Sequence, residues 1–517
     1  MKDKLFLITT LITTTFCFAQ ISEKQIDELV EKTIRNFDVP GISVAIVKNG
    51  KVVLAKGYGV KSILTKEKVD ANTLFGIASN SKAFTSAALA MLVDEGKLKW
   101  DDKVIKYLPN FKMYNEYVTN EFTIRDLLTH RSGLGLGAGD LMIWPDGSDF
   151  KTQDIINNLH YLKPVSAFRT KYDYDNLLYI VAGEVIYRAS GKTWCDFIEE
   201  RIMKPLEMNK SAASYVRLKD TTNIIAPHVP TDGKLKVISR YKNQTFDAAA
   251  GIYSSVNDLS KWMIMQLQNG KYGSEKQLQL FSKKEQDEMW QLQTIIPSNA
   301  RAPYNTHFSG YGLGWFLSDV KGYKQVSHTG GLEGIVTQVT LFPEMNLGIV
   351  VLTNQQSGAA FSAITNTIKD SYLNIPFSDY VELYSKREKD NIAEADKTTT
   401  EVWATIAKNK KDKLKIDLKK YVGIFVDNWF GQIEISQKKG KLFFTSIRSP
   451  KLIGEIFFYK DNTLVVKWNT RSFNADAFLS FELDKNGNMN VLKMKPISEL
   501  TDFSYDFQDL NFTKSTL

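Results

Sequence analysis

Cysteine is nearly absent: the 517-residue chain carries two, at positions 17 and 195. That excludes a disulfide-stapled framework. Cys195, in "GKTWCDFIEE", sits within a helical pattern and reads as a buried structural thiol rather than a nucleophile. Histidine is also scarce. Its five copies, at 130, 160, 228, 307 and 328, are too far apart for H-E-x-x-H or a Cys/His zinc site. The G-x-S-x-G elbow of α/β-hydrolases is missing. "SGKTW" at Ser190 to Trp194 ends like a phosphate loop, but Ile186 stands where that motif needs its first glycine. Nor is there a strong charge of one sign, since 66 basic against 58 acidic residues leave +8. The densest basic run, "KNKKDKLKIDLKK" from Lys408 to Lys420, is broken by acids and poor in aromatics. It reads as a solvated linker, with no nucleic-acid footprint.

Past the first twenty residues no apolar run is long enough for a transmembrane helix. The start itself, "MKDKLFLITTLITTTFCFAQ", has Lys2 and Lys4 before an apolar, threonine-rich stretch, then small residues at the positions a signal peptidase reads. The pattern predicts a cleaved secretory leader over 1–19, with the cut after Ala19. Phe16 spoils a lipobox around Cys17, so lipid anchoring is not expected. The mature protein is expected to be exported, periplasmic or secreted.

What is present is a globular composition: 43% hydrophobic, 24% charged and 12% aromatic. The length allows two or three domains with separate cores. "ISEKQIDELVEKTIRNF" has helical spacing, and "PGISVAIVKNGKVVLAKGYG" reads as a β-hairpin turning at Asn49-Gly50. Trp100 to about Gly270 is mostly helical in pattern, and strand signals return from Gly310 to Asn354. Strands first, helices in the middle and strands last predict one sheet with a helical region inserted. A charged, helix-prone connector follows at 377–413. Over 414–517, "YVGIFVD", "QIEISQ", "KLFFTSI", "TLVVKW", "AFLSFELD" and "NVLKMK" are short strands. They predict a small antiparallel barrel or sandwich.

Three short patterns carry chemistry. The first is Ser79-x-x-Lys82, at the junction of a loop and the long apolar helix "KAFTSAALAMLV". Residues three apart share a helix face, so Lys82 reaches the Ser79 oxygen. The positive end of the helix dipole favours an oxyanion and lowers the amine's pKa. The plain alternative is a serine N-cap and a solvated lysine. The spacing alone proves nothing, because Ser148/Lys151, Ser239/Lys242, Ser318/Lys321 and Ser436/Lys439 share it. Ser81, two residues on, points elsewhere and reads as structural. The second pattern is Tyr174-Asp175-Asn176 before a helix, where a phenol could relay protons and an amide could hold a carbonyl. Its plain alternative is a packed tyrosine followed by a helix cap. The third is His328-Thr329-Gly330-Gly331, a strand edge whose glycines let another backbone come close. His130 and Arg131 in "LLTHRSGL" read as a structural turn.

Taken in order and spacing, these patterns resemble the penicillin-recognising serine hydrolases. The nearest likeness is to class C β-lactamases and the D,D-carboxypeptidases and esterases related to them. "FGIASNSKAFTSAAL", "FTIRDLLTHRSGL", "MKPLEMNKS" and "AAAGIYSSVNDLSKWM" look like the same group, so the likeness covers roughly 25–360. The C-terminal segment resembles a lipocalin-like domain. The resemblance implies an α+β fold: an antiparallel sheet flanked by helices, with an inserted all-helical region, plus a C-terminal antiparallel β-barrel. It implies a hydrolase domain over 20–376. By the same resemblance Ser79 is the acylated nucleophile, Lys82 its base and Tyr174 a second acid/base. Asn176, His328, Thr329 and Gly330 contact substrate, and the backbone N–H groups of Ser79 and Gly331 form the oxyanion hole. His328 replaces the lysine of the β-lactamases' Lys-Thr-Gly, which argues against β-lactam hydrolysis because a neutral imidazole holds a carboxylate less strongly. No metal or organic cofactor is implied. The expected activity is acyl transfer on amides or esters, with D-amino-acid-containing peptides or cell-wall fragments ahead of small esters and β-lactams. The rival of another class is a non-catalytic peptidoglycan-binding sensor. The partner is a small molecule or peptide; nothing in the sequence specifies an oligomer.

Overall fold

Asn49 and Gly50 both take positive φ, 52° and 75°, the geometry of a two-residue hairpin turn. They join β1 (Gly41–Lys48) to β2 (Lys51–Gly59), after the helix α1 (Glu23–Phe37). The computed structural model describes residues 20–412, 416–485 and 487–515. The expected leader over 1–19, its cleavage after Ala19 and Cys17 lie outside the described residues.

Six further strands complete the main sheet: β3 (Thr294–Ile296), β4 (Ser309–Tyr311), β5 (Phe316–Val320), β6 (Tyr323–Leu332), β7 (Ile335–Phe342) and β8 (Leu347–Thr353). The eight strands lie in the order β2-β1-β8-β7-β6-β5-β4-β3. All seven pairings are antiparallel. The N-terminal hairpin and the last strand of this region are therefore neighbours in one sheet, and the helical region between them is the expected insertion.

Alternate residues of the central strands face opposite ways, and both faces are covered. Ile42, Val44, Ile46, Ile349 and Val351 pack with α1 and with α5 (Gly358–Tyr372). Ala45, Val47, Val350 and Leu352 meet the other core, which holds α2 (Ser81–Asp94) and α4 (Val256–Leu267). There Phe84 and Trp262 stack with centroids 3.8 Å apart. The inserted region contributes α3 (Leu177–Ser190), closed by Gly191 at φ 73°. "SGKTW" is therefore a helix end, its glycine serving the left-handed cap.

A 32-residue helix, α6 (Tyr380–Lys411), follows α5. Tyr380 and Val381 at its start belong to the apolar cluster beneath the sheet. Val402 and Ile406 near its end pack with Val465 and Ile497 on the outside of the C-terminal domain. That domain is a closed barrel of eight antiparallel strands from Gly423 to Lys514. Phe425, Phe444, Leu464, Trp468, Leu479, Leu492 and Phe512 fill its interior. Among the described residues no helix is long and apolar enough to cross a membrane.

Candidate active site

The chain enters α2 through a tight turn. Ala78, just before Ser79, has φ 51°. For a residue with a Cβ this left-handed conformation costs about 1 kcal/mol or more, so surrounding contacts must hold it. Strand β6 supplies them. A Cβ on Gly330 would come within 2.2 Å of the Ile77 carbonyl and 3.0 Å of Ala78 Cβ, so only glycine lets the strand cross the turn. Beside Gly330, Thr337 Oγ1 donates to the Ile77 carbonyl at 2.9 Å, and Asn80 Nδ2 donates to the same carbonyl at 3.2 Å and to Thr337 Oγ1 at 2.9 Å.

Ser79 does not cap α2, whose N-cap residue is Asn80 and makes no side-chain cap bond. Lys82 is not solvated: it is fully buried. Its Nζ donates to Ser79 Oγ at 3.1 Å, to Asn176 Oδ1 at 2.8 Å and to the Ala249 carbonyl at 3.2 Å. The amine lies 4.8 Å from the Tyr174 ring centroid and 5.1 Å from that of Tyr179. Burial drives the Lys82 pKa down to about 7 against the pull of Asp140 and Asp175. Ser81 turns away and accepts the Ile252 N–H at 3.1 Å.

The start of α3 is divided between neighbours. Asp175 caps the helix, accepting the N–H groups of Leu177 and Leu178 at 3.0 and 3.4 Å. Asn176 is thereby free to point its oxygen at Lys82, while its Nδ2 donates to Asp140 at 2.7 Å. The Tyr174 hydroxyl meets Ser79, and burial raises its pKa well above the ordinary value, so at neutral pH it holds its proton.

On β6, pairing to β5 ends at Ser327, so residues 328–332 have no strand partner on that side among the described residues. Thr329 and Gly331 line the cleft there, and a Cβ at Gly331 would meet open space. His328 is buried behind it: Nδ1 donates to the Thr329 carbonyl at 2.6 Å, and Nε2 accepts from the Tyr311 hydroxyl at 2.8 Å. Burial, aided by Lys82, pushes its pKa down to about 3, so the imidazole is neutral.

The cleft encloses about 290 Å³ and is walled by aromatics, among them Trp144, Tyr172, Phe246, Phe316 and Phe503. Ser79, Tyr174, Asn176, Thr329 and Gly331 reach its surface, whereas Lys82, His328 and Gly330 stand behind it. From the sequence no role attaches to Asp140, Tyr311, Phe503 or the walls Trp144, Tyr172, Phe246 and Phe316, and Asp175 is named only as the middle of its pattern. Asp140 opens a short 3-10 turn and Asp175 precedes α3, so both are distinguishable from ordinary turn formers only once folding buries them. His130, read as a turn residue, is buried with its ring 4.2 Å from that of Tyr174, and its Nδ1 accepts the Asp175 N–H at 3.0 Å. It backs the tyrosine. Burial, reinforced by Lys82, lowers its pKa well below the ordinary value and keeps it neutral. Among the described residues no cluster of three or more His, Cys, Asp or Glu is placed to hold a metal ion. Cys195 sits against Asp247, its Sγ donating at 3.4 Å.

The chain is similar to known proteins. The family model described as Beta-lactamase matches residues 26–373, and a Domain of unknown function (DUF3471) matches 407–514. The unguisins hydrolase ungD' of Aspergillus campestris is 30% identical over 363 residues, covering 67% of this chain and 65% of that protein. Protein flp of Staphylococcus aureus strain N315 is 31% identical over 354 residues, covering 65% of this chain and 64% of flp. The chain thus spans just under two thirds of the length of these relatives. The octameric penicillin-binding protein homologue from Pyrococcus abyssi shares the fold, with a TM-score of 0.61 at 22% identity, over 96% of this chain and all of that one. With that family model matching residues 26–373, more than half of its length, the chain belongs to the beta-lactamase family.

Proposed function

We propose that this protein is an exported serine hydrolase that cleaves amide or ester bonds through an acyl-enzyme on Ser79. The observation that carries the reading is the 3.1 Å approach of Lys82 Nζ to Ser79 Oγ, made by a buried amine with a pKa near neutrality. Once neutral, the amine keeps its two hydrogens on Asn176 and the Ala249 carbonyl and turns its lone pair to the serine. Ser79 Oγ attacks the substrate carbonyl carbon while its proton passes to neutral Lys82. The carbonyl π electrons move to oxygen, and the N–H groups of Ser79 and Gly331 stabilise that oxyanion. Collapse breaks the bond to the leaving amine or alcohol, which takes a proton from Tyr174. The phenol is resupplied from Lys82, close beside its ring. Water then attacks the ester, with the same groups accepting and returning its proton.

The substrate class is D-amino-acid-containing peptides or cell-wall fragments. The wall around His328 supports this over β-lactams. The imidazole is neutral and bonded at both nitrogens, so it offers no cation to a drug carboxylate. The relative named a hydrolase supports the reaction type. Thr329 and Gly331, on the unpaired part of β6, suit an extended substrate backbone. Mass spectrometry of the intact protein after incubation with an activated ester or a reactive penicillin tests the proposal. An adduct on Ser79, lost in Ser79→Ala, is expected; no adduct with any acylating probe would overturn it.

A further inference from the structure

The C-terminal barrel reaches the cleft through one segment, 500–507, which lies between its strands Met489–Pro496 and Asn511–Lys514. Asp502, Phe503 and Ser504 line the cleft together with Ser79. The Phe503 ring meets Tyr174 edge-on, with centroids 5.8 Å apart. The surface that receives the segment is the glycine-rich stretch "GLGLGAGD", residues 133–140, to which no role has so far been attached. Gly137, at φ 69°, passes so close that a Cβ there would come within 2.8 Å of both the Phe503 ring and its carbonyl oxygen. Asp506 of the barrel accepts the N–H groups of Gly139 and Leu141 at 2.7 and 2.9 Å, and its side chain is completely buried. The two surfaces are shaped for each other.

One bond of this contact leads to the nucleophile. Ser504 Oγ donates to Asp140 Oδ2 at 2.8 Å. The same oxygen accepts Asn176 Nδ2 at 2.7 Å, and Asn176 Oδ1 accepts Lys82 Nζ at 2.8 Å. Ser504, Asp140, Asn176 and Lys82 are all buried. A carboxamide has a donor end and an acceptor end of nearly equal size, and only its partners decide which way it points. Turned over, Asn176 would present N–H groups to an amine that has to donate. Asp140 prevents this by accepting at the far end. Its other oxygen, Oδ1, has no hydrogen-bond partner among the described residues, so Ser504 is the side chain that fixes Asp140 from the barrel side.

We infer that Ser504, carried by the C-terminal barrel, is a positioning residue of the active site, holding Asp140 so that Asn176 keeps its oxygen toward Lys82. The inference rests on the acyl-transfer reading above. It makes the barrel a working part of the hydrolase, which needs the docked domain to hold its base in place.

The test is a double-mutant cycle in the full chain with p-nitrophenyl acetate. The pre-steady-state burst reports acylation of Ser79. Ser504→Ala is expected to slow the burst about tenfold with KM changed less than threefold, and Ser504→Thr, which keeps the hydroxyl, to return it to within threefold of the unaltered protein. Asp140→Asn should lose at least as much, and the double variant no more than Asp140→Asn alone. A full-rate burst from Ser504→Ala, equal loss in the Thr and Ala variants, or additive losses in the cycle would each overturn the inference. If Ser504→Ala melts early, Asp140→Asn and Ser504→Thr decide it by the same criteria. Failure of the unaltered protein to give a burst or a Ser79 adduct would instead remove the hydrolase reading, and this inference with it.

Discussion

Asp427 and Asp476 in the barrel and Asp140 beneath the cleft are all buried carboxylates, but their surroundings treat them differently. Asp427 accepts the N–H groups of Trp429, Phe430 and Asn511 across its two oxygens. Asp476 pairs both oxygens with Arg471 and also accepts the Trp468 N–H. These groups tie strand ends together, and their bonds are complete. Asp140 has one oxygen doubly bonded and the other bare, and burial raises its pKa well above the ordinary value. Lys82 and His130 are likewise shifted by burial. Asp427 and Asp476 are thus held as fold-forming groups, whereas Asp140 is buried with its bonds incomplete, which on the proposed mechanism trades stability for reactivity.

The sharpest way to break that contrast is to replace Lys82 by methionine, of similar shape and no charge. Turnover should fall by about three orders of magnitude or more, because the serine loses its base. Removing a desolvated amine should leave the melting temperature unchanged or raised, despite the lost bond to Asn176. Retained turnover, or a fall of several degrees in melting temperature, would place Lys82 among the structural groups. In the barrel the expectation is reversed. Trp468 is buried edge-on to Phe444 at 5.2 Å, and its Nε1 donates to the Ala475 carbonyl at 2.7 Å. Trp468→Ala should cost about 3–5 kcal/mol in denaturant unfolding. Smaller than either is the pH effect. On the proposed mechanism neutral Lys82 is the active form, so kcat/KM should rise about tenfold per pH unit in acid and level off above about 7. A limb displaced by two units would mean that another group sets the profile.

Much of this was legible in the chain because local signals agreed. The hairpin turn, the largely apolar central strands and six of the barrel's strands follow from residue pattern alone. The barrel strands Ile453–Lys460 and Asn511–Lys514 did not: the first has an uneven run of buried and half-buried residues, and the second is four residues long. In the site, Ser79, Lys82, Tyr174 and Asn176 could be named because three short patterns follow one another in the order of a known hydrolase family; no single spacing would have done it. Ser504 and Asp506 could not, since a serine and an aspartate in a loop near the C-terminus carry no signal until the barrel lies against residues 137–141. The glycine-rich loop was visible as a loop, but its partner lies more than 360 residues further along the chain.

A middle case sharpens the contrast from the hydrolase side. Asp126 lies in the same region as Asp140 and is as deeply buried, yet its partners are complete. Burial pushes its pKa up, but bonds from Arg169 at 2.6 Å and Thr123 at 2.6 Å outweigh this and leave it lowered. A carboxylate with a folded pKa below its unfolded value stabilises the protein above the unfolded value, near 3.9, and loses that contribution as pH falls through the folded one. Asp126→Asn should therefore cost about 2 kcal/mol at neutral pH, of the order of a hydrogen bond to a charged group. The gap to the unaltered protein should narrow steadily below about pH 4. The burst at Ser79 should keep its rate, because Asp126 meets neither the lysine nor its partners. A stability gap independent of pH would mean that the aspartate acts by shape alone, and a slowed burst would extend the reactive network to the Arg169 pair.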